Sequence, residues 1–72
     1  MTETNAVGVA LKTLREAAGM TLSRVSADAG VSISYLSRAE NGQVQPSADW
    51  VRVITATIGA NLVAARETEP AA

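Results

Sequence analysis

The chain contains no cysteine and no histidine. Without cysteine it can form neither disulfides nor thiolate metal sites, and without histidine it has no imidazole metal ligand. The same two absences exclude nucleophilic catalysis by a Cys–His or a Ser–His pair. There is also no glycine-rich phosphate loop and no close pair of carboxylates in a plausible cleft. The sequence therefore favours a binding protein over an enzyme and predicts neither a metal nor a cofactor.

Long apolar segments are absent as well. No run approaches the roughly 20 residues that span a bilayer, and the first residues, MTETNA, are acidic where a signal peptide would be basic and apolar. We therefore expect a cytoplasmic protein with no membrane partner. A chain of 72 residues predicts one small domain of marginal stability, because a domain of this size buries only about 60% of its unfolded surface.

The charge balance is slightly acidic, whereas proteins that bind nucleic acid are usually basic. The net charge is −1 and the isoelectric point is about 5.1. Between Lys12 and Arg52, however, five basic residues stand beside four acidic ones, so the middle of the chain is close to neutral. Any binding of phosphate would depend on the placement of individual residues and on helix N-termini.

Glycines divide the chain into segments with helical spacing. Four of them lie where a left-handed residue would end a helix: Gly19, Gly30, Gly42 and Gly59. The segments predict a first helix over residues 6–18 and three further helices that begin at the N-caps Thr21, Ser32 and Ser47. An apolar stripe runs along the first helix and consists of Val7, Leu11, Leu14 and Ala18.

The segment ANLVAARE, residues 60–67, follows a different pattern. It is short and partly β-branched, and its apolar residues alternate weakly between two sides. This alternation favours a strand, and a last turn of helix is the other interpretation. We expect residues 1–5 to form a flexible N-terminus and residues 68–72, TEPAA, to form a disordered tail.

The predicted third helix, over residues 32–41, has two different faces. On a helical wheel Leu36 and Ala39 lie together on the apolar face. The opposite face carries small polar residues and one arginine: Ser34, Ser37, Arg38 and Asn41. Only Arg38 is bulky there, so this face can approach another surface closely. The turn before it is so tight that the two helices must cross steeply, which leaves the third helix prominent.

Three motifs occur in order along the chain: LREAAGMT, ADAGVSISYLSRAENG, and PS followed by IGA. With these motifs, residues 11–60 resemble the helix-turn-helix domain of the lambda-repressor-like family, which includes Cro-type and xenobiotic-response-element regulators. The resemblance covers about two-thirds of the chain. It implies an all-α domain of four to five short helices over residues 6–59, to which a short C-terminal β-strand could be added. It also implies that the third helix enters the DNA major groove.

The resemblance assigns roles to individual residues. Residues that match contacts to base edges are Ser32, Ile33, Ser34, Ser37 and Arg38, and residues that match contacts to phosphate are Thr21, Tyr35 and Asn41. Arg38 can bind guanine O6 and N7 as a fork, and Ile33 can pack on a thymine methyl group. Arg15 and Glu40 match positions where many family members form a partly buried ion pair. The alternative for these two is a pair of unrelated surface charges.

Several residues leave alternatives open. The family often has a phosphate-binding glutamine where this chain has Leu22, and Leu22 either packs inward or is exposed to a partner. Trp50 either covers the edge of the core or, with Val53, extends a dimer or partner surface. Leu62 and Val63 belong to such a surface if residues 60–67 form a strand that pairs with a second copy, as in the small antitoxins of the family.

These expectations describe a sequence-specific DNA-binding transcription regulator. We expect a repressor that binds a two-fold operator on double-stranded DNA as a homodimer, in the cytoplasm and associated with the nucleoid when bound. The alternative is a protein-interaction module, an antitoxin or antirepressor, which uses the same fold to bind a protein partner such as a toxin.

Overall fold

The computed structural model describes the backbone of residues 3–68 and the side chains of residues 6–63. It contains four α-helices, which are α1 (Glu3–Ala17), α2 (Leu22–Ala29), α3 (Ile33–Glu40) and α4 (Ala48–Thr68). No strand occurs within residues 3–68, so the all-α fold class is confirmed. No helix in this range combines the length and the apolar composition needed to cross a membrane. Residues 1–2 of the expected N-terminal segment and residues 69–72 of the expected tail lie outside the described residues.

Side-chain hydroxyls begin the last three helices, as the sequence predicts. Thr21, Ser32 and Ser47 each accept a hydrogen bond from the backbone N–H three residues later, at 3.0, 3.2 and 3.1 Å. Each bond satisfies one of the amide donors that have no partner within the first turn of a helix. The starts of these helices are therefore determined locally by the sequence.

Three of the four glycines predicted to end helices have the expected conformation. Gly19, Gly30 and Gly42 have φ angles of 69°, 70° and 75°, in the left-handed region. Gly59 does not, because it lies inside α4, which continues to Thr68. The prediction of a helix end at Gly59 is wrong.

The strand predicted over residues 60–67 is also wrong, because this segment belongs to α4. Leu62 lies four residues after the fully buried Ile58, so it continues the inward stripe of the helix and is half-buried. Val63, the next residue, is 56% exposed on the outer side. Helical packing outweighs the weak alternation of the segment. The strand pairing between subunits that the resemblance to small antitoxins implied requires such a strand and is therefore wrong as well, whereas the other interpretation, a continued helix, is confirmed.

A single core joins the four helices. Its buried apolar members are Leu11, Met20, Val25, Leu36, Ile54 and Ile58. Leu14, expected in the apolar stripe of α1, is 38% exposed. The side of α1 that faces the other helices is centred on Gly8, Leu11 and Arg15, which places Leu14 at its edge.

Gly8 allows α1 to approach the C-terminal end of α3 very closely. A Cβ atom at position 8 would lie 2.5 Å from the carbonyl oxygen of Ala39 and 2.6 Å from that of Glu40. Both neighbours are backbone atoms, so they cannot rotate away as a side chain could. The missing side chain at Gly8 is therefore a condition for the way α3 packs on α1.

Replacing Gly8 with alanine is expected to lower the free energy of unfolding by about 1–3 kcal/mol, because the added methyl group forces the two helices apart. The matched control is Gly59→Ala, since Gly59 is also helical and an added Cβ would meet nothing within 4 Å. That variant is expected to gain about 0.5–1 kcal/mol from the higher helix propensity of alanine. Urea denaturation followed by circular dichroism measures both. Equal stability of the two variants would contradict the close α1–α3 contact.

Candidate nucleic-acid interface

Helix α3 has one buried face and one open face. Leu36 and Ala39 are 0% and 1% exposed and face the core. The opposite face consists of residues that are exposed or half-buried: Ser34, Ser37, Arg38 and Asn41. Helix α4 packs against α1 and α2, and the described part of the chain leaves this face of α3 open. The face is therefore available to a partner.

The turn before α3 is three residues long and is determined by its sequence. Gly30 ends α2 with φ 70° and ψ 37°, and its N–H donates to the carbonyl of Ser26. The N–H of Val31 donates to the same carbonyl at 3.0 Å, and the Val31 side chain packs against the core. Ser32 then caps α3. This compact connection produces a helix-turn-helix arrangement.

An ion pair joins the C-terminal end of α3 to α1. Arg15 donates from Nε to one carboxylate oxygen of Glu40 at 2.8 Å and from Nη2 to the other at 3.0 Å. Its Nη1 donates to the carbonyl oxygen of Met20 at 2.9 Å. The two side chains are only 11% and 5% exposed. Two parallel bonds of this kind constrain both the distance and the orientation of the helices that carry them.

The hydrogen bond to Glu40 raises the pKa of the Arg15 guanidinium above its ordinary value, and burial only partly opposes this change. Arg15 therefore remains charged at neutral pH. Because the pKa is higher in the folded state, the stability linked to this proton is fully present below the unfolded-state pKa. It is lost only as the pH rises through the folded-state pKa, in strongly basic solution.

The open face of α3 continues into a surface depression that we call the α3 depression. Seven residues line it: Leu22, Ile33, Ser34, Ser37, Arg38, Asn41 and Gln43. None of them carries a carboxylate, and every polar side chain among them can donate a hydrogen bond. Such a lining suits a partner that is negatively charged and rich in hydrogen-bond acceptors, as DNA is.

Arg38 is the one cationic residue among those that line the α3 depression. Within residues 6–63 three other arginines are paired with carboxylates: Arg15 with Glu40, Arg24 with Asp28, and Arg52 with Asp49. Arg38 forms no ion pair within the same residues, and its side chain is exposed. Its guanidinium is therefore free to bind an external acceptor.

Two of the residues predicted to contact DNA, Thr21 and Ser32, act as N-caps. Each hydroxyl oxygen accepts a hydrogen bond from a backbone N–H. The hydroxyl hydrogen remains available as a donor, and both residues are exposed. They lie at helix N-termini, where the partial positive charge of the helix favours phosphate. For Ser32 the geometry thus suits a phosphate contact as well as the predicted contact to a base.

Tyr35 and Trp50 pack edge to face, with ring centroids 5.1 Å apart and ring planes at 76°. Trp50 is half-buried and packs against the core, so it covers the core edge and links α3 to the start of α4. The four residues predicted to form a dimer or partner surface, Trp50, Val53, Leu62 and Val63, differ in exposure. Val53 and Val63 are 46% and 56% exposed, whereas Leu62 points inward.

The sequence did not identify Gln43 and left the orientation of Leu22 open. Leu22 combines the two predicted orientations: it packs against the core, and it also lines the α3 depression, where a partner can reach it. Gln43 reaches the depression because its N–H donates to the carbonyl oxygen of Arg38 at 2.8 Å, which folds the connector back over the end of α3. This bond and the one from the Gly42 N–H to the carbonyl oxygen of Ala39, at 3.2 Å, form the Schellman motif that follows a left-handed glycine, so Gly42 is the local signal that could have found Gln43.

Comparison with known proteins gives a match at the level of the family. A family model described as a helix-turn-helix domain matches residues 6–68, a range that includes the turn, α3 and the whole α3 depression. No curated protein and no solved structure matches the chain.

Replacing Glu40 with glutamine is expected to lower the free energy of unfolding by about 3 kcal/mol, because Arg15 then lacks a negative partner in a nearly buried site. The control is Asp28→Asn, which removes the carboxylate of the exposed Arg24–Asp28 pair, with side chains 59% and 40% exposed. That change is expected to cost less than about 1 kcal/mol. Chemical denaturation measures the free energy of unfolding of both variants and of the wild type. A similar, small cost at both positions would rule out an orienting role for the Arg15–Glu40 pair.

Proposed function

The chain belongs to the helix-turn-helix domain family, and from this premise we propose that it is a sequence-specific transcription regulator that reads the DNA major groove with α3. Membership of the family supports a DNA-binding regulator in general, and it supports binding rather than catalysis. The particular contacts, the dimer and the repressor role that follow are our proposal.

The observation that carries the proposal is the exposed guanidinium of Arg38, which forms no ion pair within residues 6–63 and lies in a depression whose described lining has no carboxylate. A guanidinium is the usual side-chain partner of guanine, because it can donate to O6 and N7 at the same time. The carboxylates that form ion pairs within residues 6–63 are those of Glu40, Asp28 and Asp49, and none of them lines the α3 depression. Those carboxylates bind other arginines.

The remaining contacts follow from the position of each residue on α3. Ser34 and Ser37 lie between Ile33 and Arg38 in the α3 depression and are proposed to contact base edges. Asn41 lies at the end of α3 and is proposed to contact phosphate. Thr21 and Tyr35 are the other proposed phosphate contacts, Thr21 at the N-terminus of α2 and Tyr35 beside Trp50.

We further propose that the protein acts as a homodimer on a two-fold operator. One short helix offers few base contacts, and the near-neutral chain adds little nonspecific affinity, so two linked half-sites are needed for useful occupancy. The half-sites should lie about 34 Å apart, one turn of B-DNA. The outer side of α4, where Val53 and Val63 are exposed, is the proposed contact between the copies.

A repressor needs only to occupy its operator, so the DNA-binding face and the dimer contact are sufficient for the proposed mode of action. A transcription regulator acts on the chromosome, so we propose that the protein is cytoplasmic and is associated with the nucleoid when it is bound to DNA.

A second function, binding of a protein partner such as a toxin or an antirepressor target, is favoured by one observation. An apolar groove between α1 and the start of α4 is lined in part by Val7, Pro46 and Val51. Trp50 does not support this alternative, because it packs against Tyr35 and the core. The salt dependence of DNA binding separates the two functions, since phosphate contacts give a steep fall of affinity with salt. An absence of DNA binding at low salt would favour the protein partner.

Replacing Arg38 with alanine is expected to weaken binding by about 1–3 kcal/mol and to remove the preference at one base pair of each half-site. Duplexes are first selected from a random pool, and a palindromic consensus is expected for a dimer. Fluorescence anisotropy then compares the consensus with its single base-pair variants. The control is Arg52→Ala, because Arg52 is exposed on α4 outside the α3 depression. Unchanged base preference in Arg38→Ala would refute base recognition by Arg38.

A further inference from the structure

We infer that Leu22 and Ile33 together form an apolar contact for a thymine methyl group, which makes Leu22 a specificity-determining residue. The inference rests on the proposed DNA recognition and extends it to a residue outside α3. Leu22 begins α2 and Ile33 begins α3, and both line the α3 depression. They are its two apolar residues, and its other five residues are polar.

The two side chains differ in what supports them. Ile33 is 44% exposed, so a large part of its surface faces solvent in the free protein. Leu22 is half-buried and its inner part packs against the core, so it cannot turn away from the depression without losing that packing. Leu22 therefore provides a fixed wall beside the more exposed Ile33.

The chemistry of the major groove identifies what such a wall can contact. Base edges in the groove present hydrogen-bond donors and acceptors, together with one apolar group, the C5-methyl of thymine. A phosphate or a carbonyl placed over Leu22 would lose hydration and receive no hydrogen bond in return, which is unfavourable. Among the groups that distinguish the base edges, the methyl group is the one whose contact with Leu22 and Ile33 carries no such penalty.

The position of this contact relative to Arg38 follows from helix geometry. Ile33 and Arg38 are five residues apart in α3, which is about 7.5 Å along the helix axis. Base pairs are stacked at about 3.4 Å. The thymine is therefore expected within about two base pairs of the guanine that Arg38 contacts, in the same half-site.

The test replaces each thymine of the selected duplex with deoxyuridine, one at a time, which removes the methyl group and keeps all hydrogen-bonding groups. For the wild-type protein, affinity is expected to fall about three- to fivefold at one position in each half-site. The quantity compared is the ratio of the affinities for the thymine duplex and the deoxyuridine duplex. In Leu22→Ala and Ile33→Ala this ratio is expected to approach one, and in Leu22→Met it is expected to stay close to the wild-type value. The ratio is measured within one protein variant, so a loss of stability does not change it.

The control is Val9→Ala, because Val9 is 59% exposed and is not among the residues that line the α3 depression. Its ratio should equal that of the wild type. A full ratio in Leu22→Ala, or no thymine with a methyl effect in the wild type, would overturn the role of Leu22 and leave the proposed DNA recognition intact. Failure to enrich any duplex from the random pool would overturn both.

Discussion

The interface depends on how the C-terminal end of α3 is held against α1. Gly8 permits the close backbone approach, and the Arg15–Glu40 pair constrains the angle through two parallel hydrogen bonds. A buried ion pair gives little net stability compared with an apolar contact of similar volume, because both charges lose hydration. Its value here is in orientation. Groups that recognise bases must be positioned to within about 0.5 Å. The contacts between α1 and the C-terminal end of α3 therefore determine how accurately the open face of α3 is oriented.

The acidic residues of the chain explain why a protein with a net charge of −1 can still offer a cation to DNA. Glu40, Asp28 and Asp49 each bind an arginine of the same chain, and none of the three lines the α3 depression. The pairing cancels charge elsewhere and leaves Arg38 exposed on the open face. A protein with this distribution gains little from nonspecific attraction to phosphate, which is why the proposed recognition relies on base contacts and on a dimer.

The sequence predicted those parts of the fold that depend on neighbouring residues. The N-caps, the left-handed Gly30 and the two faces of α3 all follow from patterns a few residues long. Gly59 shows the limit, because it follows an apolar helical segment as Gly30 does. There the helix continues because Ile58 and Leu62 pack on the same side of α4. The role of Gly8 depends on carbonyl groups more than 30 residues away, which no local pattern reveals. In the candidate site, the resemblance supplied most of the residues, and the helix end at Gly42 places Gln43 beside them, whereas only tertiary structure brings Leu22 there.

Leu22 shows that core and interface share residues in a domain of this size. Its inner part stabilises the core and its outer part lines the α3 depression. A small domain buries too little surface to keep these two tasks on separate residues. Leucine in place of a phosphate-binding glutamine therefore has two consequences, since it removes a hydrogen-bond donor from the DNA-facing surface and adds apolar surface to the packing of α2. The proposed thymine contact therefore couples sequence preference to stability at this position. A substitution of Leu22 changes both at once, and comparing the affinities for two duplexes within one variant separates the change in preference from the change in stability.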